Sequence, residues 1–156
     1  MKTDGIRSDV QFSVFLVNKP GILAQVCQRL ADDKINILAM SMMDSAEHGV
    51  LRMVVEDPPR ARESLSALDV PTTESQVLVT TLPNRPGSVA DVVERLSVAH
   101  VNVNYAYCTA GAPGGKSLGV FRVSDLKKAV DVLMERKPRR RASGPPVRAP
   151  VRPRRK

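Results

Sequence analysis

Apolar positions run along the chain in two alternating rhythms, and they do so in the same order twice. Residues 10–17 form a near-continuous apolar run that stops at Asn18-Lys19-Pro20-Gly21, which predicts a mostly buried strand entering a turn. Leu23, Val26, Cys27 and Leu30 then recur at spacings of three and four, one stripe of a helix in which Pro20 suits a first position. Asp32-Asp33-Lys34 closes that helix on a polar turn. Residues 35–43 and 50–55 are apolar again around a polar turn at 44–49, the pattern of an antiparallel hairpin. Asp57-Pro58-Pro59 is a helix start with Asp57 as cap, and Ala61, Leu65 and Leu68 give the inner face. A closing strand is weakly written at 70–75 and passes without a linker into a further apolar run at 76–82.

The second passage repeats the first. Asn18-Lys19-Pro20-Gly21-Ile22-Leu23 returns sixty-six positions later as Asn84-Arg85-Pro86-Gly87-Ser88-Val89, and Ile35-Asn36-Ile37 returns as Val101-Asn102-Val103. Farther on the offset becomes sixty-eight, as from Ala61 to Ala129 and Leu65 to Leu133, which places two extra residues in a loop. A repeat this regular is one supersecondary unit built twice. Copy two predicts a helix at 86–98 with Val89, Val92, Val93 and Leu96 inward, and strands at 101–109 and 117–123. A helix capped by Ser124 follows, with Leu126, Ala129, Val130 and Leu133 buried. No final strand follows it. The expected organisation is therefore a unit at 8–75, a second at 76–136 and a tail at 137–156. A unit of about seventy residues buries little of its surface alone, so each is expected to lean on the other or on a second chain.

Charge changes the picture only at the end of the chain. The formal net charge is +8, but residues 137–156 hold nine of the 24 Lys and Arg and no acid, so the remaining 15 bases face 16 acids. The tail, rich in Pro and Arg, lacks apolar periodicity and is expected to be disordered, with weak polyanion contact as its one plausible role. The body shows no basic stripe and no aromatic platform for nucleic acid. Two cysteines more than eighty positions apart make neither a disulfide framework nor a metal site, and no long apolar run or leader is present. A cytoplasmic protein that neither spans nor joins a membrane is expected.

Candidate chemistry concentrates in the repeated hexamers. A glycine in the first turn of a helix leaves backbone N–H groups and the positive end of the dipole open to a carboxylate, and Asn18 or Asn84 adds an amide that donates and accepts. The same residues also make a strand-to-helix turn, and both readings stand for a single copy. With negative φ at Gly21 and Gly87, alanine would be tolerated there. Asn36 and Asn102 suit turns with left-handed backbone. Asn104, Tyr105 and Tyr107 differ from Leu38, Ala39 and Ser41, so two sites would differ in selectivity. Cys27 and Cys108 read as core thiols, and His48 and His100 as turn residues. Residues 110–117 fit a relaxed phosphate-loop pattern, yet the following run at 118–123 reads as a strand where that loop needs a helix. No acid, base or nucleophile recurs in both copies, so no catalytic residue, metal ligand or cofactor is assigned.

A β-α-β-β-α-β unit with Asn-x-Pro-Gly before its first helix and Ile-Asn-Ile or Val-Asn-Val opening its second strand resembles the ACT domain, here in tandem across residues 10–136. The resemblance implies an α+β fold of two ferredoxin-like units, the second lacking its last strand, with neighbouring sheets meeting edge to edge. An absent last strand would leave residues 76–82 unpaired along one edge. It further implies a regulatory or sensing protein, dimeric, that takes an amino acid or similar small carboxylate between units. The residues carried over are Asn18, Lys19, Pro20, Gly21, Ile22 and Leu23, with Asn84, Arg85, Pro86, Gly87, Ser88, Val89 and Asn104. The alternatives are a regulatory subunit of an amino-acid biosynthetic enzyme and a polyanion binder acting through the tail.

Overall fold

Strand, helix, strand, strand, helix is followed by the same five elements again. In a computed structural model, which describes residues 5–43, 48–109 and 115–135, these are β1 (Arg7–Val17), α1 (Ile22–Asp32), β2 (Ile37–Met43), β3 (His48–Val55) and α2 (Pro58–Ser66), then β4 (Thr72–Pro83), α3 (Ser88–Val98), β5 (Val103–Cys108), β6 (Lys116–Val123) and α4 (Leu126–Met134). All six strands join one antiparallel sheet in the order β2-β3-β1-β4-β6-β5. The expected tail at 137–156, the hairpin turn at 44–47 and most of the loop at 110–117 lie outside the described residues. Lys116 and Ser117 open β6, so the strand expected after that loop is present.

The centre of the sheet resolves the missing strand. β1 and β4 are long and pair over Arg7–Val14 and Thr72–Val79, with Val10 opposite Gln76. Val10 and Gln76 are also sixty-six apart, the offset of the repeat, so an internal two-fold axis passes through that pair. The second half of β1 pairs with the start of β4 and closes the first unit. The first half, Arg7 to Val10, pairs with Gln76 to Val79 and occupies the place of a last strand in the second unit. The edge expected to be unpaired is therefore covered, by residues from the other end of the chain.

Opposite residues of an antiparallel pair share a face, so Phe12 and Leu78 point to one side of the sheet and Gln11 and Val77 to the other. All four helices cover the first side. Under α1 and α2 lie Phe12, Val14, Leu51, Met53 and Leu65, joined by Val26 and Leu30. Under α3 and α4 lie Leu78, Leu96, Phe121, Ala129 and Leu133. Leu126 and Val130 are only partly buried there, and Val89 and Val93, expected inward, are 45% and 38% exposed. Cys27 is half-buried, and Cys108 is exposed on the edge strand β5, which corrects its assignment to the core. Burial of its surroundings still pushes the Cys108 thiol above its ordinary pKa.

Turn chemistry differs from expectation in informative ways. The left-handed residues after α1 and α3 are Lys34 (φ 57) and His100 (φ 56), not Asn36 and Asn102. Ile35 N–H donates to Leu30 O at 2.8 Å and Val101 N–H to Leu96 O at 2.9 Å, the six-to-one bond of a Schellman cap, so both helices end alike. Asn36 and Asn102 instead use their carbonyls, which accept from Glu56 and Ser124 N–H at 2.9 Å. His100 is a turn residue as expected, whereas His48 opens β3 opposite Val17.

Asp57 caps α2 by accepting from Arg60 N–H at 3.2 Å. The cap of α4 is Asp125, which accepts from Lys128 N–H at 2.9 Å, while Ser124, the expected cap, uses its Oγ to accept from Asn102 N–H at 3.0 Å. Asp125→Ala should cost about 1 kcal/mol of stability and Ser124→Ala less, because only the first removes a helix cap. Urea unfolding of the two variants checks the order.

The helix-free face folds towards itself, bringing edge strand β2 close to β5 and β6 from the opposite end of the sheet. Ala39, Val54, Val77, Val79 and Val120 make a third core inside this curl, with Tyr107 and Leu118 against it. Gln11, fully buried, lies on this face. Its Nε2 donates to Tyr105 Oη at 2.7 Å, and its Oε1 accepts from Tyr107 Oη at 3.0 Å. The Arg52 guanidinium lies 4.0 Å from the Tyr105 ring centroid. Burial pushes the Tyr107 hydroxyl far above its ordinary pKa; Tyr105 adds to the rise and Arg52 opposes it. Side chains of the first unit thus hold both tyrosines of the second.

Candidate functional site

Each repeated hexamer forms the same tight turn between strand and helix. Ile22 N–H reaches Lys19 O at 3.4 Å and Ser88 N–H reaches Arg85 O at 3.3 Å, so Pro20 and Pro86 hold the second turn position and Gly21 and Gly87 the third. The glycines have φ 91 and 88, the left-handed value that a type II turn requires there. This overturns the expectation of negative φ. The prolines fix the turn rather than open the helix, and α1 and α3 begin at Ile22 and Ser88 with glycine as N-cap. Before each turn, Lys19 N–H donates to Val17 O at 2.8 Å and Arg85 N–H to Pro83 O at 2.9 Å, folding the chain tightly about Asn18 and Asn84.

Glycine at the cap has a second consequence. The first N–H groups of a helix have no intrahelical partner, and the glycine N-caps of α1 and α3 have no side chain to accept from them, whereas aspartates cap α2 and α4. A Cβ built on Gly21 or Gly87 would meet nothing within 4 Å among the described residues, so these leave the approach to both N-termini open. Asn18, Lys19, Pro20 and Gly21 are exposed, as are Arg85, Pro86, Gly87 and Val89. The two turns are not equivalent. Ser88 replaces Ile22 and is 8% exposed, its Oγ lacking a hydrogen-bond partner among the described residues. α3 carries Asp91 in its first turn, and α1 has no acid there.

The structure does not bring the two turns together. β1 and β4 are antiparallel, so Asn18 follows one end of the central pair and Asn84 the other. The first turn lies beyond Phe15, whose N–H donates to Pro71 O at 2.9 Å; the second lies beyond Thr81, whose N–H donates to Gly5 O at 3.2 Å. Asn104 sits apart from both. It is the extra residue of a bulge between Val103 and Tyr105, and β5 reaches the level of Asn84 only past Cys108. Leu38 is the matching extra residue in β2.

Two cavities among the described residues lie elsewhere, one between α2 and β4 and one between α4 and β1. No group of three or more His, Cys, Asp or Glu placed to hold a metal ion occurs among the described residues, and no described helix is long and apolar enough to cross a membrane.

A family model described as an ACT domain pair matches residues 8–140. The chain belongs to that family. The ACT domain pair is similar to the crystal structure of protein BT0572 from Bacteroides thetaiotaomicron, at 33% identity over 82% of this chain and 88% of that one, with a TM-score of 0.75. It shares its fold with the regulatory subunit of aspartate kinase from Thermus thermophilus, at 14% identity, 83% and 94% coverage and a TM-score of 0.61. A structure of aspartokinase alpha and beta subunits is similar at 20% identity, with the same coverage and a TM-score of 0.56. Among curated proteins no match is found. The ACT pair seen here carries the expected α+β, βαββαβ-like units as one sheet, with the long strands β1 and β4 supplying both closures.

Sequence reasoning passed over Gln11, Arg52 and the Arg62–Glu74 pair. Gln11 was detectable as one of two polar residues, with Ser13, inside the apolar run at 10–17, at the position matched by Val77. Its partners were not, since Tyr105 and Tyr107 lie more than ninety positions away.

Proposed function

We propose that this ACT pair is a non-catalytic regulatory or sensing protein that binds an amino acid, or a similar small carboxylate, at the N-terminus of α1, of α3 or of both. One contrast carries the reading: among the described residues, the helices that follow Asn-x-Pro-Gly start at a glycine N-cap that offers no side-chain acceptor and has open space beside it, while the other two helices are capped by aspartate. First-turn N–H groups without an intrahelical partner, at the positive end of a helix dipole, favour a carboxylate. Asn18 and Asn84 stand beside those donors, and Lys19 and Arg85 add positive charge. The family to which the chain belongs commonly binds amino acids, which agrees with this chemistry. The unlike residues Ile22 and Ser88, and Asp91 on α3 alone, give the two turns different selectivity. Assembly into a dimer would set a second chain against these turns.

A thermal-shift screen of the twenty amino acids tests the proposal. A ligand at one hundred times its Kd should stabilise the fold by about 2.7 kcal/mol. No shift with any of them, at concentrations up to tens of millimolar, would remove the amino-acid reading. The fold shared with aspartate kinase regulatory subunits supports a second reading, that the chain regulates a separate enzyme. A catalytic partner that copurifies with it would establish that arrangement.

A further inference from the structure

The first unit has a cavity of about 190 Å³ between α2 and β4, remote from both glycine turns. Phe12, Leu65 and Val70 contribute its apolar lining. Across its rim Arg62 of α2 forks onto Glu74 of β4, Nε to Oε1 at 2.6 Å and Nη2 to Oε2 at 2.8 Å. We propose that this cavity is a second binding site, for a small zwitterion with a carboxylate, an ammonium and a short apolar body.

The rim supplies both recognition elements. The fork uses Nε and Nη2 of Arg62, so Nη1 keeps its donors for a ligand carboxylate, and each Glu74 oxygen keeps a lone pair for an ammonium. The ion pair is half in solvent, with side-chain exposures of 51% and 35%, and such pairs contribute little, so the two groups exchange partners at small cost. Arg62 hydrogen bonds hold the Glu74 carboxyl below its usual range, which keeps it charged. Ser66 and Thr72, also lining the cavity, donate their hydroxyl protons to Arg62 O and Val70 O, leaving their oxygens as acceptors for an ammonium. A net-neutral charge pair favours a zwitterion over a simple anion or cation, which would satisfy one partner and leave the other facing it unpaired. The small size of the cavity suits a ligand no larger than a small amino acid.

The internal two-fold provides a comparison. Arg62 corresponds to Val130 at the sixty-eight offset and Glu74 to Ser8 at sixty-six, and these two line the matching hollow between α4 and β1. Among the described residues that hollow has no helix-to-strand charge pair; Lys127 and Asp131 pair along α4 itself. The recognition elements are thus confined to the first unit.

Methyl-resolved NMR of the full chain tests the site, with L-valine and 4-aminobutyrate as zwitterions and isovalerate and valinamide as single-charge controls. The expected result is a saturable millimolar shift of the Leu65, Val70 and Thr72 methyls with at least one zwitterion and none with the controls. Arg62→Gln and Glu74→Gln should each weaken it about tenfold, the loss of one charge-assisted contact. Arg62→Lys, which keeps the charge but loses the fork, replaces Arg62→Gln if that variant loosens the fold. No saturable shift with either zwitterion, equal shifts with isovalerate, or binding that ignores the variants would overturn the proposal. Shifts confined to Ile22, Leu23 and Val89 would support binding at the turns and overturn this site.

Discussion

A chain lacking residues 1–10 is expected to lose the fold of the second unit, although every residue of that unit from Gln76 onward is intact. Arg7 to Val10 occupy the place of its last strand, and their removal leaves Gln76 to Val79 without a partner on the β1 side of β4, in the middle of what was a six-stranded sheet. At about 0.5–1.5 kcal/mol for each backbone hydrogen bond, losing four residues of ladder costs roughly 2 to 6 kcal/mol. That is a large fraction of the about 5–15 kcal/mol that holds a typical domain together. The measurement is specific to the second unit, because Tyr105 and Tyr107 on β5 are the only tyrosines and the chain has no tryptophan. Tyrosine fluorescence followed through urea unfolding should show an early transition, or none, in the truncated chain. An unchanged tyrosine transition would mean that the second unit closes without β1.

Replacing Gly21 and Gly87 together with alanine should destabilise the protein by roughly 2 to 4 kcal/mol, since a left-handed conformation costs a residue with a Cβ about 1–2 kcal/mol. Space is not the cause, because a Cβ at either position meets nothing within 4 Å. The cause is φ near 90 at the third position of a type II turn. Asparagine, which visits this region more readily, should cost less than alanine at both sites. Denaturant unfolding of the four single variants gives the order. Equal stability of the alanine variants would show that the turn can relax to another type. Binding has to be read beside stability here: a Gly21→Asn variant that folds well and has lost its ligand would show that the N-terminus of α1 holds it. These glycines were expected to be replaceable on the assumption that a residue following proline enters a helix directly. Here the helix starts one residue later and the turn comes first.

Much of the architecture was legible because it rests on local chemistry. Turn residues punctuate each strand and helix, and the stripe Val26 and Leu30 is buried where the three-four spacing put it. Asp57 caps α2 as Asp-Pro-Pro suggested. Where two neighbours offered the same chemistry, the choice went astray: Ser124 and Asp125 can both cap, and Asp125 does because Ser124 answers to Asn102 across the hairpin. Val89 and Val93 fit a helical stripe and yet remain exposed, since the sheet beneath α3 meets Val92 and Leu96 instead. At the candidate site the sequence marked both turns as turns, but not their backbone sign or the glycine N-caps of α1 and α3.

By itself the sequence determined the element order, the duplication and the two turns, because propensity, periodicity and turn preference act over a few residues and leave a pattern that a repeat doubles. Only the tertiary structure decided how the two copies share one sheet. The pairing of Val10 with Gln76 carries no local signature, since any apolar strand can satisfy the same backbone donors and acceptors. Its register is selected by which side chains then face the helices. The same holds for Gln11 with Tyr105 and Tyr107, and for Arg62 with Glu74: each pair member looks ordinary in sequence, and the partnership exists because a curled sheet and a packed helix bring distant positions within hydrogen-bond reach.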